Sequence, residues 1–250
     1  MVEKYVILAC SNDRTFDVPR QLVEINGEKI IERTIRLLRE NGINDITITA
    51  RGNYFDYLDV KIYKPMSTYD YINKIGYWLD AFPNDLLEDK VCFIWGDVYF
   101  SSDAINKIVK TDCCENLFFC SHDNTSKYYI KEYDEPFAYK IVDTNLFKKH
   151  IEIVKKLYNE GYTIRHPIVW EVYRSMNGID VNKHLMTKNY VAINDITCDI
   201  DSYKDKYLIE NNVLKIENSK LDIRIRMLKF HTDLLEEENQ RLKELKESDK

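Results

Sequence analysis

Apolar runs of strand length alternate along this chain with segments of helical periodicity, and this alternation restricts the folds that the chain can adopt. The strand-length runs are residues 5–9, 46–50, 60–63, 91–95 and 117–120. Strands separated by helix-length segments need crossover connections, which predict a largely parallel sheet with helices packed on it. The sequence therefore predicts an α/β domain with a mixed, mostly parallel sheet.

The segments between these runs repeat apolar residues every three or four positions, as amphipathic helices do. The predicted apolar faces consist of Ile31, Ile35 and Leu38, then of Ile72, Ile75, Trp78 and Leu79, and then of Ile105, Ile108 and Val109. Gly42 follows the first of these helices and is expected to end it as a C-terminal cap. Strands follow at 128–130 and 138–142, interpreted as an antiparallel insertion, and then helices at 146–158 and 168–176. A last strand at 190–193 and a helix at 203–209 complete a predicted domain of residues 1–212.

The C-terminal segment has a different pattern, with apolar residues at alternating spacings of four and three. The seam consists of Leu221, Ile225, Leu228, Thr232, Leu235, Asn239 and Leu242. This pattern predicts a coiled-coil helix over residues 219–250, in which Asn239 at a core position would select register and oligomeric state. It favours a parallel homodimer over a trimer. The alternative is a single amphipathic helix folded back on its own domain, which the high charge of residues 236–250 disfavours.

Composition excludes several classes of protein. A chain of 250 residues that is 44% hydrophobic can form a sizeable core, and its net charge of −6 argues against a general nucleic-acid-binding protein. No run reaches the ~18 apolar residues of a membrane span, and the N-terminal apolar run is too short for a secretory signal. The six cysteines form no CxxC pair. We therefore expect reduced thiols and a cytoplasmic location.

Two features point to chemistry on a nucleoside triphosphate. Arg14 and Arg20 flank the polar loop that follows the first strand, where cations could stabilise the charge of a triphosphate. Asp97 ends the buried strand 91–95, after Gly96, which would allow close approach of a ligand. A carboxylate at such a strand end is a suitable Mg²⁺ ligand. The alternatives are two solvated arginines and a carboxylate that caps the following helix.

The first ~110 residues resemble the nucleotidyltransferase superfamily, which includes the sugar-1-phosphate nucleotidyltransferases and the phosphocholine cytidylyltransferases. The matching elements are the strand and loop 8–14, Pro19-Arg20-Gln21-Leu22, Asn26-Gly27 and the helix that follows. The family loop is rich in glycine, whereas this chain has no glycine between Ala9 and Gly27. The resemblance implies a single Rossmann-like domain of the GT-A type, followed here by the coiled-coil helix.

The resemblance also implies site residues. Arg20 takes the place of the family's lysine and, with Arg14, would stabilise the α-phosphate and the departing pyrophosphate. Asp97 corresponds to the first Mg²⁺ ligand. The segment Asp201-Ser202-Tyr203-Lys204-Asp205 resembles the family element that supplies the second ligand, which assigns that role to Asp201, with Asp199 in reserve. The residues expected to contact the nucleotide are Ala9, Cys10, Ser11, Asn12 and Gly96.

Contacts to the acceptor are predicted in two places. Lys64, Thr68 and Asn73 lie in the segment where the cytidylyltransferases bind nucleotide and acceptor. Trp170-Glu171 is similar to an aromatic and acidic pair near the acceptor pocket of the phosphocholine enzymes, where an aromatic wall would suit a cationic acceptor. The alternative for this pair is core packing.

The resemblance predicts a Mg²⁺-dependent transfer of a nucleotidyl group from a nucleoside triphosphate to a phosphorylated small molecule, with release of pyrophosphate. CTP is the favoured nucleotide, and the product would serve surface polysaccharide or lipid decoration. A GT-A glycosyltransferase is a second hypothesis, although such enzymes typically need Asp-x-Asp and Asp97-Val98-Tyr99 has one aspartate. A third is a degenerate nucleotide-binding scaffold dimerised by its coiled coil.

Overall fold

The computed structural model describes residues 2, 4–10, 15–66, 76–122 and 134–248, with the side chains of all of these except 233 and 236–248. The strands in this part of the chain are β1 Lys4–Ala9, β2 Glu24–Ile25, β3 Glu28–Lys29, β4 Asp45–Ala50, β5 Lys61–Tyr63, β6 Val91–Trp95, β7 Val98–Tyr99, β8 Leu117–Cys120, β9 Pro136–Ile141, β10 Tyr190–Ala192 and β11 Cys198–Asp199. The helices are α1 Ile30–Glu40, α2 Ser102–Lys110, α3 Thr144–Asn159, α4 Val169–Met176 and α5 Tyr203–Ser248. Short 3₁₀ helices cover Arg20–Leu22, Trp78–Ala81 and Asn84–Leu86.

Within the described residues the main sheet has seven strands in the order β10-β8-β9-β6-β1-β4-β5. β1 lies near its centre and pairs in parallel with both β4 and β6, so that Ile7 lies between Ile48 and Ile94. These three side chains are fully buried, as expected for strands covered on both faces. The prediction of a mixed, mostly parallel sheet in an α/β domain is confirmed.

β9 is the strand that runs against the others. It pairs antiparallel with β6 on one side and with β8 on the other. The predicted antiparallel direction of this strand is confirmed, and the strand lies inside the main sheet, between β6 and β8. Five of its six residues are buried, including the charged Lys140, which agrees with an interior position in the sheet. The predicted strand at 128–130 lies outside the described residues.

The segment before β4 follows the predicted pattern closely. A tight turn at Asn26 and Gly27, both with positive φ, joins β2 to β3 just before α1. α1 presents its apolar residues, including Ile31, Ile35 and Leu38, to the core. Gly42 ends the helix with φ near +83°, and its N–H donates to the carbonyl of Arg39. The predicted helix and its glycine cap are confirmed.

A helix with Ile72, Ile75, Trp78 and Leu79 on one face was predicted, and Ile72 and Ile75 lie outside the described residues. The remainder of that prediction is replaced by the 3₁₀ helix Trp78–Ala81, which buries Leu79. The rings of Trp78 and Phe82 pack against that of Trp95, with centroids 6.2 and 6.3 Å away.

Two compact units make up the chain, Met1–Tyr207 and Leu208–Lys250. α5 is continuous from Tyr203 to Ser248, so the break expected after residue 209 does not occur. The domain limits 1–212 and 219–250 and the coiled coil stay predictions. Among the described helices, none combines the length and apolar composition that crossing a membrane requires.

The second unit is a helix with apolar side chains on two opposite sides. On the heptad seam, Leu221, Ile225, Leu228 and Leu235 are each about half exposed or more. Ile223, Met227, Phe230 and Leu234 are comparably exposed and lie two positions after a seam residue, about 200° around the helix. This helix therefore has two apolar sides, whereas a two-stranded coiled coil buries one.

Candidate active site

The carboxyl ends of the parallel strands meet at one edge of the sheet. β1 ends here at Ala9, and β6 ends at Trp95, directly before Gly96 and Asp97. Because β9 is antiparallel, its beginning, rather than its end, lies at the same edge. This edge is where ligands bind in open α/β sheets.

Backbone pairing brings Asp201 to Asp97 from a distant part of the chain. β7 follows Asp97 immediately and pairs antiparallel with β11, in the register that places Asp199 opposite Val98. The N–H of Ile200 then donates to the carbonyl of Asp97 at 3.0 Å. Asp201 follows at the start of α5, where its own N–H donates to the carboxylate of Asp205 at 3.1 Å.

Arg20 joins the two carboxylates. Its Nη1 contacts Oδ1 of Asp201 and lies 3.7 Å from Oδ2 of Asp97. The arginine side chain is only 14% exposed and that of Asp97 17%, so this ion pair is partly shielded from water. Pro19 precedes Arg20 and supports the short 3₁₀ helix in which the arginine lies. The structure thus brings together three residues that the sequence analysis had selected separately.

Two further carboxylates lie beside Asp201. Ligand oxygens of Glu135, Asp199 and Asp201 all lie within 4.8 Å of one another. Glu135 was missed by sequence reasoning. It precedes β9, and its N–H donates to Oγ of Ser121 while its carbonyl accepts from the N–H of Ser121, which fixes it at the sheet edge. An acidic residue before Pro136 was the one local signal that could have drawn attention to it.

This donor set fits a hard divalent cation. It offers only oxygen ligands, and Mg²⁺ takes carboxylate oxygens together with phosphate and water. Asp97 does not cap α2, which was the alternative interpretation, because Oγ of Ser101 accepts the N–H of Ala104 in that role. The carboxylate of Asp97 instead lies next to Arg20.

Gly96 has a structural reason to be glycine. A Cβ at this position would lie 2.6 Å from the carbonyl oxygen of Leu8 and 3.1 Å from the side chain of Gln21. The N–H of Gly96 also donates to that carbonyl at 3.0 Å. Gly96 therefore permits a close approach to β1, and its predicted contact with a ligand stays a prediction.

The residues expected to contact the nucleotide are described only in part. Ala9 is buried at the end of β1, and Cys10 follows it with a half-buried thiol. Burial raises the pKa of the Cys10 thiol, an effect that a hydrogen bond to Thr49 and the nearby Arg51 partly oppose. Ser11, Asn12 and Arg14 lie outside the described residues.

The predicted acceptor residues are spread over the chain. Lys64 donates to Oδ1 of Asn53 at 2.7 Å on an exposed loop, and Thr68 and Asn73 lie outside the described residues.

The Trp170-Glu171 pair has its contacts within the fold. The ring of Trp170 packs edge-on against Phe118, with centroids 4.8 Å apart. Glu171 is 2% exposed, and it accepts hydrogen bonds from Arg165 and from the N–H of Ile168. Arg174, also buried, donates to the same carboxylate. These contacts favour the core-packing alternative for this pair.

Solved structures of three proteins share this fold. A protein of Bacillus anthracis described as a glucose-1-phosphate thymidylyltransferase has a TM-score of 0.53 at 14% identity, over 83% of this chain and 94% of that one. The inositol-1-phosphate CTP transferase of T. maritima has a TM-score of 0.53 at 13% identity, over 83% and 95%. HddC of Yersinia pseudotuberculosis has a TM-score of 0.50 at 14% identity, over 85% and 100%.

The two comparisons by sequence found no match. No family model matches the chain. No curated protein matches it either. At these identities the structural likeness shows the fold, and the chain therefore has the fold of the sugar-phosphate and cytidylyl nucleotidyltransferases.

Proposed function

We propose that this chain transfers a nucleotidyl group from a nucleoside triphosphate, with CTP preferred, to a phosphorylated small molecule and releases pyrophosphate. The observation that carries this proposal is the convergence of Arg20, Asp97 and Asp201 at the carboxyl edge of the sheet. A cation and two carboxylates at this edge are what a triphosphate and its metal ion require. The shared fold with a CTP transferase supports the choice of reaction class.

Each residue would have a separate task. Asp97 and Asp201 would hold Mg²⁺, with Asp199 and Glu135 beside Asp201 as further oxygen donors. When bound, the ion supplies Lewis-acid neutralisation of the phosphate charge. Arg20, with Arg14, would stabilise the α-phosphate and the departing pyrophosphate as negative charge develops there. The acceptor phosphate is already ionised at neutral pH, so no general base is needed.

The biological setting is also a proposal. The protein would act in the cytoplasm, and its product would serve surface polysaccharide or lipid decoration. The chain would act as a homodimer joined by its C-terminal helices. The fold shared with HddC and with two sugar- or polyol-phosphate nucleotidyltransferases supports a small phosphorylated acceptor. The shared fold gives no preference between CTP and UTP. The choice of CTP rests on the family resemblance of the sequence alone.

The glycosyltransferase hypothesis loses support from the environment of Tyr99. This tyrosine takes the place of the second aspartate of Asp-x-Asp and is buried in β7. The guanidinium of Arg33 lies 4.7 Å from its ring centroid. A hydrophobic, cation-covered ring cannot replace a metal-binding carboxylate.

The scaffold hypothesis keeps one observation in its favour, which is the absence of glycine between Ala9 and Gly27. Pyrophosphate release should therefore be measured with each of the four triphosphates and a panel of acceptors. The panel would contain a hexose-1-phosphate, inositol-1-phosphate and phosphocholine. Release with one pairing would support the proposed reaction, whereas tight nucleotide binding without release from any pairing would favour the scaffold.

Asp97→Asn and Asp201→Asn should each lower turnover by at least about a hundredfold, because each removes a charged ligand at the site of transition-state charge. Pyrophosphate release with saturating Mg²⁺ measures this loss, and circular dichroism verifies the fold. Asp45→Asn is the matched control, since Asp45 is exposed at the opposite, amino end of β4. Wild-type turnover in either site variant would remove that residue from the mechanism.

A further inference from the structure

Arg20 lies where a metal ion that binds both Asp97 and Asp201 would lie. Its Nη1 contacts a carboxylate oxygen of Asp201 and is 3.7 Å from one of Asp97, the two residues proposed to bind Mg²⁺. A cation that binds both carboxylates must occupy the space between their oxygens. One guanidinium nitrogen and one divalent ion therefore compete for the same position.

We infer that the Arg20 guanidinium occupies the metal position in the nucleotide-free protein and leaves it when the metal–triphosphate complex binds. The inference rests on the proposed function for its second half, in which the arginine moves to the phosphates. Its first half concerns only Arg20, Asp97 and Asp201 and can be tested without any nucleotide.

Electrostatics gives the reason for the exchange. The carboxylates of Glu135 and Asp199 lie close to that of Asp201, so several negative charges share a partly buried space. In the absence of metal, Arg20 reduces their mutual repulsion. Adding a divalent ion while Arg20 stays in place would bring two cations into contact, which is unfavourable at low effective dielectric.

The triphosphate gives the displaced arginine a new partner. A guanidinium binds phosphate oxygens through paired N–H donors, as it binds carboxylates. Metal without nucleotide would displace Arg20 from Asp201 and supply no phosphate in exchange, so it should bind weakly. Metal delivered with a triphosphate replaces the arginine and supplies its next partner at once. This arrangement would keep Arg20 away from the phosphates until the metal is in place.

The test is the affinity of the full-length protein for Mn²⁺ without nucleotide, measured by electron paramagnetic resonance of free Mn²⁺. Arg20→Met removes the competing charge, adds no oxygen ligand and keeps an unbranched side chain. We expect it to bind Mn²⁺ at least tenfold more tightly than the wild type. Arg20→Lys keeps the charge and should remain within about threefold of the wild type, since the competition is between charges.

Two further variants test whether the gain in Mn²⁺ affinity arises at the site of Arg20 and Asp97. Arg36→Gln is the matched control, because Arg36 pairs with Glu28 and Glu40 on the surface of α1. It should not change Mn²⁺ affinity. Asp97→Asn added to Arg20→Met should abolish the gain, because it removes one of the two carboxylates that the ion and the arginine share.

If Arg20→Met is less stable than the wild type, thermal unfolding with and without Mn²⁺ still tests the inference. A ligand that binds the folded state raises its Tm, so the rise caused by Mn²⁺ should be larger in Arg20→Met than in the wild type. Unchanged or weaker Mn²⁺ binding by Arg20→Met would overturn the inference, as would a gain that persists after Asp97→Asn. A failure of the proposed reaction would show itself separately, as absent pyrophosphate release by the wild type.

Discussion

At the scale of single residues, two positions show how a side chain is selected by atoms far from it in sequence. Gly96 is glycine because the carbonyl of Leu8 leaves no room for a Cβ. Lys140 lies in the apolar strand β9 and is 1% exposed, yet its Nζ donates to the carbonyls of Val109 and Thr111 at the end of α2. Burial lowers the pKa of this lysine. Its role as a cation at a helix C-terminus could not be predicted from the pattern of β9.

Gly96→Ala should lower the free energy of unfolding by about 1–3 kcal/mol, because the new methyl group must displace the backbone of β1. Urea denaturation without nucleotide measures this loss. A variant with wild-type stability and weakened nucleotide binding would contradict the structural explanation and favour the sequence argument for ligand approach.

At the scale of elements, a histidine joins the segment around the 3₁₀ helix Trp78–Ala81 to the connection between α3 and α4. Nε2 of His166 accepts the N–H of Trp78 at 3.1 Å, which requires this nitrogen to be unprotonated. The ring also packs against Tyr77 and Tyr158. Burial lowers the pKa of His166, whereas the nearby charges of Asp80 and Glu171 oppose this shift.

Stability should therefore fall as the pH falls from 7.5 to 5.5. The unfolded chain takes up a proton at His166 near its ordinary pKa of about 6.5, whereas the folded chain resists it until a lower pH. His150 and His184, whose pKa values burial also lowers, act in the same direction. His166→Gln keeps an acceptor for Trp78 without titrating, so its Tm should fall less over this range. Calorimetry measures the Tm of both proteins over this pH range. An equal fall in Tm in both would exclude His166 as a source of the pH dependence.

At the scale of the whole molecule, the long helix α5 has two apolar sides. One of them is the heptad seam, which has the spacing of a coiled coil. Leu228 lies on the seam and Phe230 about 200° away from it, and each is 62% exposed. If copies of the chain pair through the seam, a charge at position 228 must be buried in the interface, and a charge at position 230 stays outside a two-stranded coil.

Leu228→Lys should therefore convert the dimer to monomers, and Phe230→Lys should leave it intact. Sedimentation equilibrium over a range of protein concentrations measures both masses. The reverse result would place the association on the opposite side of the helix, and a monomeric wild type would exclude the predicted homodimer.

The sequence by itself determined the elements whose evidence is local. The strands β1, β4, β5 and β6, the helix α1 with its glycine cap and the acidic end of β6 follow from periodicity and turn chemistry within short windows. The resemblance of the first ~110 residues and of residues 201–205 to a known family extended this to the fold and to the selection of Arg20, Asp97 and Asp201.

Only the tertiary structure decided which charges meet. β7 and β11 are two residues long each, and they pair through backbone hydrogen bonds that leave no periodic signal. Glu135 reaches the same edge because β9 runs antiparallel, a direction that the pattern of its residues does not specify. Local patterns report which residues prefer to be buried, whereas the meeting of distant carboxylates depends on strand direction and register, which the packing of the whole sheet selects.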